Sequence, residues 1–416
     1  MYKRLFILAY NILIINFLSF SQQQISLPKA FEIAKANSPF LKVERFNVAE
    51  AEAAIKVAKV RPNVEFNTQD LSLVENFRED KSKMSFFHQQ NWVQLTKPLQ
   101  LWGQRRLGIL AANQLKVVEE LKLKDFERGF QAQIAHQWLE VWFQQERINL
   151  LSQIVKTTDS LIITLSDKYA DTSSEKIRVR LLRDDYHFVL NQAERDFENS
   201  LITLKLSLGI HQPIHVENIE FMESILIPSN VDSLIQNGIL LRPDLIQTKE
   251  NQKLAKIQES LEKSSIWGTP VTGFIYNPQN TVNYMGVFLT VQLPVFNQRK
   301  GEIQLAKIAQ EKALNEQILT QQRIESEIRL SYNDYKYALE NLLIVKDYYN
   351  LSALDYEVTK KEFLKNETIF LDFLDMEKRW YDSRVNLLQS QLEVYKAKIS
   401  ILASSNLLDS VINSVK

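Results

Sequence analysis

Two of the five histidines, His211 and His215, stand four residues apart, a spacing that could present two imidazoles to a metal ion from one helical face. Pro213 lies between them and interrupts any helix, so we interpret the pair as part of a solvated linker. The chain has no cysteine, no HExxH or CxxC motif and no glycine-rich phosphate loop. Because no nucleophile stands beside a base in any recognisable motif, we expect no enzyme activity, no cofactor and no metal site.

The composition indicates long helices with few turns. Only 9 of the 416 residues are glycine, which disfavours turn-rich sandwiches, propellers and doubly wound sheets. The 50 basic and 50 acidic side chains balance, so the chain lacks the basic excess that nucleic-acid binding requires. We therefore expect no nucleic-acid partner.

The N-terminus has the order of charges and apolar residues that is typical of a secretory signal. Lys3 and Arg4 precede a largely apolar stretch, 5–18, and the small residues Ser19 and Ser21 favour cleavage before residue 22. A retained signal anchor is the alternative interpretation. The sequence therefore predicts an exported protein.

One sequence plan occurs twice, at an offset of 194 residues. The letters QRR at 104–106 recur as QRK at 298–300, and the same offset places Tyr169 on Phe363. A duplication on this scale indicates one architecture used twice rather than unrelated domains in series. The predicted organisation is a signal peptide at 1–21, a first repeat at 22–209, a linker at 210–229, a second repeat at 230–405 and a C-terminal tail at 406–416.

Each repeat contains two short segments that read as strands. The clearest one alternates apolar residues such as Met285, Val287 and Leu289 with residues of the opposite face, which is the two-residue period of a strand. Its length also suits a tilted membrane strand of about 9–11 residues, although strands of soluble sheets have the same pattern. The predicted strands are 63–69, 92–99, 269–276 and 284–293.

A long helix is predicted after each pair of strands, at 104–168 and 298–362, followed by return helices at 175–208 and 369–402. In both long helices apolar residues recur every seven positions, for example at Ile134, Val141 and Ile148 in the first repeat. A sustained seven-residue period indicates coiled-coil-type packing. The second apolar column is poorer, which favours a wall of helices over a two-stranded coiled coil.

Four strands cannot close a membrane barrel, because the smallest known barrel has eight. If these strands lie in a membrane, several chains must share one barrel, and three chains supply twelve strands. Trp102 and Trp267 lie on the helical side of the strands, where an aromatic girdle would meet the membrane interface. Packing at the junction of helix and sheet explains the same positions equally well.

The chain carries, in this order, the segments LPKAFEIAKANSPFL, PLQLWGQRRLGILAANQ, LLRPDL and VQLPVFNQRKGEIQLAKIAQ. This duplicated order resembles the TolC family of outer-membrane efflux proteins, over nearly the whole mature chain. The resemblance implies an α+β membrane protein: a homotrimer whose twelve-stranded β-barrel, with four strands per chain, continues into a long α-helical barrel in the periplasm. It implies as partners outer-membrane lipid, a periplasmic adaptor and an inner-membrane pump of the resistance-nodulation-division type.

The resemblance also implies a constriction. The segment TIFLDFLD at 368–375 matches the place where the family carries two aspartates, here Asp372 and Asp375. Rings of carboxylates from three chains would attract cations. Two solvated acids on a helix face are the alternative. The turns expected to meet the adaptor contain residues Tyr169, Thr172, Phe363, Asn366 and Thr368.

The function implied is that of a passive exit duct in a tripartite efflux system for heavy metals or drugs. The alternatives are the exit duct of a type I protein-secretion system and a soluble periplasmic scaffold or adaptor. An adaptor would need a glycine-rich barrel or lipoyl-like domain, which the sequence does not indicate.

Overall fold

The structure is a computed structural model. It describes residues 23–72, 89–166, 174–217, 219, 222–223, 225–279, 282–365 and 367–414. The chain divides into two compact units, one formed by 1–44, 124–242 and 322–416 and the other by 45–123 and 243–321. Each unit therefore draws on both sequence repeats. The signal peptide predicted at 1–21 lies outside the described residues.

The helices of the described residues follow the duplicated plan. They are α1 Leu27–Asn37, α2 Pro39–Lys59, α3 Gln104–Ser166, α4 Ser174–Leu208, α5 Val231–Leu241, α6 Pro243–Ser264, α7 Lys300–Leu364, α8 Phe370–Ser404 and α9 Leu408–Ser414. None of them is both long and apolar enough to cross a membrane.

Proline separates the two short helices at the start of each repeat. Pro39 and Pro243 each begin a helix, where the missing N–H is not needed, and each ends the helix before it. Upstream of α5, the Asn230 side chain accepts hydrogen bonds from the backbone N–H groups of Asp232 at 2.9 Å and Ser233 at 3.4 Å. This cap fixes the start of the second repeat.

The seven-residue columns of the long helices face the protein interior. In α3, Ile134, Val141 and Val155 are buried. In α7, Ile328 and Tyr356 of the column are buried, and its other members are half-buried, namely Tyr335, Leu342, Tyr349 and Phe363. The period read from the sequence thus marks the packed face of each helix.

A small parallel sheet joins the beginning of the described chain to the region between the repeats. Strand β1 (Gln23–Ile25) pairs with a strand at Ile214–Val216, designated β4 in chain order. The indole of Trp138 on α3 donates a 2.9 Å hydrogen bond to the carbonyl of Ile25. The region predicted as a plain linker, 210–229, therefore contributes a strand to the core of the first unit.

The second unit contains one antiparallel sheet. Its strands are β2 Glu65–Ser72, β3 Gln89–Pro98, β5 Val271–Gln279 and β6 Val282–Thr290. They pair in the order β2-β3-β5-β6, so each repeat supplies two neighbouring strands to a single sheet. Each strand begins and ends within three residues of its predicted bounds.

Candidate functional site

One face of the four-stranded sheet carries a row of exposed apolar side chains. Phe66 pairs with Leu95, Leu95 with Phe274, and Phe274 with Val287, so the four residues lie side by side on one face. Their side chains are 65%, 44%, 43% and 84% exposed, respectively. A continuous apolar row of this kind is unfavourable in water and suits contact with lipid.

The opposite face is more polar, particularly on the two strands of the first repeat. It carries Asn67 and Gln94 in one row and Glu65 and Thr96 in the next. The Thr96 hydroxyl donates a 3.4 Å hydrogen bond to the Glu65 carboxylate. The sheet thus has an apolar face and a polar face, the pattern of a barrel wall between lipid and water.

The sheet is open at both edges. Among the described residues, β2 pairs only with β3, and β6 pairs only with β5. Each edge strand therefore presents a row of backbone groups without a strand partner in the described part of the chain. In a lipid environment these groups require further strands.

Trp102 and Trp267 lie together where the sheet meets the helices. Their ring centroids are 6.3 Å apart, and each side chain is 45% exposed. The side-chain amide of Gln104 donates to the carbonyl of Gly268 at 2.8 Å, which ties the start of α3 to the loop that carries Trp267. Both explanations offered by the sequence, an interfacial girdle and local packing, are compatible with this half-exposed pair.

Asp372 and Asp375 lie at the start of α8, and both are exposed. Phe373 and Leu374 between them are buried. The two carboxylates share one helix face because residues three apart are neighbours on a helix. The structure therefore places the acidic pair together on the solvent side of the first turns of α8.

Phe363 packs between the two helices that meet near this turn. Its ring stacks on Phe373 of α8 at 4.7 Å with an interplanar angle of 7°, and Tyr356 stacks on Trp380 at 4.4 Å. Thr368 is half-buried just before α8. Residues Tyr169, Thr172 and Asn366, which the sequence places in the same turns, lie outside the described residues.

A buried carboxyl group lies two residues beyond the acidic pair. Glu377 is 1% exposed, and Tyr381 donates a 3.1 Å hydrogen bond to its Oε1 atom. Its Oε2 atom has no hydrogen-bond partner among the described residues. Burial raises the pKa of Glu377 to about 7.

The histidine pair does not form a metal site within the described residues. His215 lies in β4, and its Nε2 atom contacts the Gln145 side-chain amide at 3.1 Å, whereas His211 is exposed. No group of three or more His, Asp or Glu side chains in the described part of the chain is arranged to hold a metal ion.

The sequence reading missed two features of this region. Glu377 is four residues from both Phe373 and Tyr381, a spacing that places it on their buried face. The apolar row was visible only in part, because β2 has just two apolar residues, Phe66 and Leu71, which lie on opposite faces of the strand. Pairing the candidate strands in register would have revealed the row.

Comparison of the sequence relates the chain to a metal-resistance protein. No known family profile matches it. It is 19% identical over 391 residues to the cobalt-zinc-cadmium resistance protein CzcC of Cupriavidus metallidurans, covering 91% of this chain and 89% of CzcC.

Solved structures match nearly the whole chain. CusC matches with a TM-score of 0.76 at 12% identity, covering 91% of both chains. The CmeC outer-membrane channel of Campylobacter jejuni has a TM-score of 0.76 at 14% identity, covering 92% of this chain and 86% of CmeC. The open-state MtrE outer-membrane channel of Neisseria gonorrhoeae has a TM-score of 0.75 at 14% identity, covering 92% and 89%, respectively. The chain therefore has the fold of these outer-membrane channels, and its resemblance to the TolC family is confirmed at the level of the fold.

Proposed function

We propose that this protein is an outer-membrane channel and acts as the passive exit duct of a tripartite efflux system. The observation that carries the proposal is the four-stranded sheet with an exposed apolar face and two open edges. Such a sheet is unfavourable in water, and it is one part of a membrane barrel. The similarity in fold to CusC, CmeC and MtrE supports the same assignment.

Three copies complete the barrel in this proposal. Strands β2 and β6 run in opposite directions, since each successive pair in the order β2-β3-β5-β6 is antiparallel. The β6 edge of one copy therefore matches the β2 edge of the next in an antiparallel ladder. Three chains then give a closed barrel of twelve strands, an even number that bacterial barrels use.

Cell fractionation tests the assignment. We expect the protein in the outer-membrane fraction, migrating as a trimer in unheated detergent gels and as a monomer after boiling. A purely soluble periplasmic monomer would contradict the proposal and would favour the scaffold alternative.

Asp372 and Asp375 are proposed to form acidic rings at the periplasmic mouth. In a trimer the pair brings six carboxylates around one opening, which attracts cations and repels anions. Single-channel recordings of Asp372→Asn/Asp375→Asn should show a lower preference for cations and weaker block by divalent cations. The exposed pair Asp334→Asn/Asp347→Asn on α7 removes the same charge and should leave selectivity unchanged. Unchanged ion selectivity in Asp372→Asn/Asp375→Asn would show that these two carboxylates do not line the mouth.

The turn before α8 is proposed to meet a periplasmic adaptor, which links the channel to an inner-membrane pump of the resistance-nodulation-division type. Ile369 is 63% exposed and follows Thr368 directly, whereas Phe363 stacks on Phe373 of α8. We therefore assign the contact to Thr368 and Ile369 and a supporting role to Phe363. Thr368→Lys should abolish copurification of the adaptor while leaving the trimer intact, and unaffected copurification would rule out this contact.

Heavy-metal cations are the proposed cargo, because the relative CzcC is named for cobalt, zinc and cadmium resistance. Deletion of the gene should increase sensitivity to these metals. Lost secretion of a protein with unchanged metal sensitivity would favour the type I secretion alternative. The channel itself performs no chemistry in this proposal, and the pump supplies the energy.

A further inference from the structure

Basic residues border the apolar face of the sheet at the end of the strands nearest the long helices. Lys97 lies on that face in the next row after Leu95, beside Thr272 and Leu289. Beyond the end of β6 the apolar pattern continues: Leu293 is 72% exposed and Phe296 is fully exposed. The surface thus changes from apolar strands to aromatic and then basic side chains, the order found at a membrane interface.

The duplication places the same chemistry in both repeats at this level. With the offset of 194 residues, Trp102 corresponds to Phe296 and Arg106 corresponds to Lys300. In each repeat the aromatic and the basic residue lie where a strand is followed by a long helix. An aromatic residue followed by an exposed basic residue is therefore a feature of the plan rather than of one copy.

The basic residues of each repeat divide into a structural one and an exposed one. Arg105 donates a 2.7 Å hydrogen bond to the carbonyl of Lys59, and Arg299 forms a 2.5 Å ion pair with Glu262. Arg106 and Lys300, which follow them directly, are exposed. The described residues place no acidic side chain within ion-pair distance of Arg106, Lys300 or Lys97, so these charges are available to an external anion.

We propose that Lys97, Arg106 and Lys300 bind the phosphate groups of anionic phospholipids in the periplasmic leaflet of the outer membrane. The proposal rests on the proposed function, which puts the apolar face of the sheet in that membrane. The occupant is a lipid rather than a soluble anion, because the three cations line the border of an apolar surface instead of a pocket. Arg and Lys pair with phosphate through charge-assisted hydrogen bonds, and three copies would repeat the set around the barrel.

Tryptophan quenching by brominated lipids tests this proposal on the reconstituted trimer. Vesicles of phosphatidylcholine containing a brominated phosphatidylglycerol or a brominated phosphatidylcholine report which lipid lies next to Trp102 and Trp267. Wild type should be quenched more strongly by the brominated phosphatidylglycerol. Arg106→Gln/Lys300→Gln should reduce this preference several-fold, since each basic side chain near an anionic surface contributes roughly fivefold.

Two further variants serve as controls. Lys124→Gln/Lys312→Gln removes the same charge from exposed positions about 27 Å and about 18 Å further along the two long helices, and it should retain the preference. Arg106→Lys/Lys300→Arg keeps both charges and should retain it as well.

The outcomes separate the two proposals. Equal quenching by the two lipids in wild type, or a preference that survives in Arg106→Gln/Lys300→Gln, would overturn the lipid site while leaving the channel assignment in place. Loss of the trimer in that variant would also overturn the lipid site, since the residues would then contact a neighbouring copy. A wild-type protein that does not insert into vesicles, and is quenched by neither lipid, would contradict the channel itself.

Discussion

Glu377 is a carboxyl group in a place that disfavours its charge. Its neighbours are Tyr381 on α8, Tyr356 and Lys360 on α7, and Tyr186 on α4, so one cation faces it among three phenols. Burial outweighs the attraction of the cation and the hydrogen bond from Tyr381, and the pKa rises to about 7. The protonated form is therefore the one that the fold favours.

This raised pKa predicts a loss of stability with rising pH. An ordinary glutamate ionises near 4.5, so the unfolded chain releases this proton before the folded chain does. The contribution of protonated Glu377 to the free energy of unfolding is fully present below pH 4.5. It is lost as the pH rises through 7, by on the order of 3 kcal/mol per chain. Thermal melts of Glu377→Gln should therefore change less between pH 5 and pH 8 than those of wild type, with a higher Tm at pH 8.

An exposed glutamate on the same helix provides the control. Glu393→Gln should melt with the same pH dependence as wild type, because its side chain is in water. Identical pH profiles for wild type and Glu377→Gln would show that Glu377 ionises without penalty.

At the scale of single residues, the sequence predicts some positions of this region and not others. The family resemblance, rather than a pattern of spacing, singled out Asp372 and Asp375, and in the structure both are exposed at the start of α8. The burial of Glu377 was not predicted, because a glutamate is usually exposed, although its spacing of four from Phe373 and Tyr381 places it on their buried face. Its partners from three helices become visible only in the folded chain.

At the scale of elements, the packing of β5 depends on Gly273. A Cβ atom at this position would lie 2.5 Å from the carbonyl oxygen of Leu95 and 2.6 Å from the ring of Phe288. Gly273→Ala should therefore strain the β3–β5 pairing by about 1–3 kcal/mol and lower the temperature at which the trimer dissociates in detergent gels.

Gly286 on β6 is the matched control for this substitution. A Cβ atom there meets nothing closer than Ile275 Cγ2 at 3.8 Å. Gly286→Ala should therefore leave the dissociation temperature nearly unchanged. Equal effects of the two substitutions would mean that strand propensity, rather than the close contact at Gly273, sets the response.

Arg242 connects three elements of the first unit. It lies between α5 and α6, is 1% exposed, and donates to Glu327 of α7 at 2.6 Å and to the carbonyl of Ser404 at the end of α8 at 3.2 Å. Arg242→Ala leaves a cavity and an unpaired carbonyl, so we expect a loss on the order of 3 kcal/mol in the free energy of unfolding.

Arg323 offers a comparison that shares the same acidic partner. Its side chain is 56% exposed and approaches Glu327 at 3.6 Å. Arg323→Ala should therefore destabilise the protein by less than about 1 kcal/mol in chemical denaturation. Similar losses for the two variants would contradict a special role for the buried arginine.

The elements with strong periodicity were predicted well. The long helices and β6 follow from seven-residue and two-residue patterns that extend over many residues. The pairing of β1 with β4 was missed, because each strand has three residues and their contact joins positions about 190 residues apart. Such a short strand carries no period, and only the folded chain brings the two together.

At the scale of the whole molecule, the duplication supplies four strands, which are too few to close a barrel within one chain. Both repeats supply their strands to one sheet, and this sheet still has two open edges among the described residues. A closed barrel therefore requires neighbouring copies, each joining its β2 to the β6 of the next. The natural chain contains no cysteine, so introduced cysteines report this contact without background.

Disulfide formation between the two edge strands tests this central claim most directly. Asn67→Cys on β2 is combined in turn with cysteine at Tyr284, Gly286 or Phe288 on β6, positions at which side chains share a face of the sheet with Asn67. Oxidation in outer membranes should join chains into dimers and closed trimers for the combination whose two cysteines lie opposite each other on neighbouring chains. Disulfides need Cβ atoms about 3.5–4.5 Å apart, so the other combinations should react less. Asn67→Cys alone should give only monomers. Monomers from every combination would contradict a barrel shared by several chains.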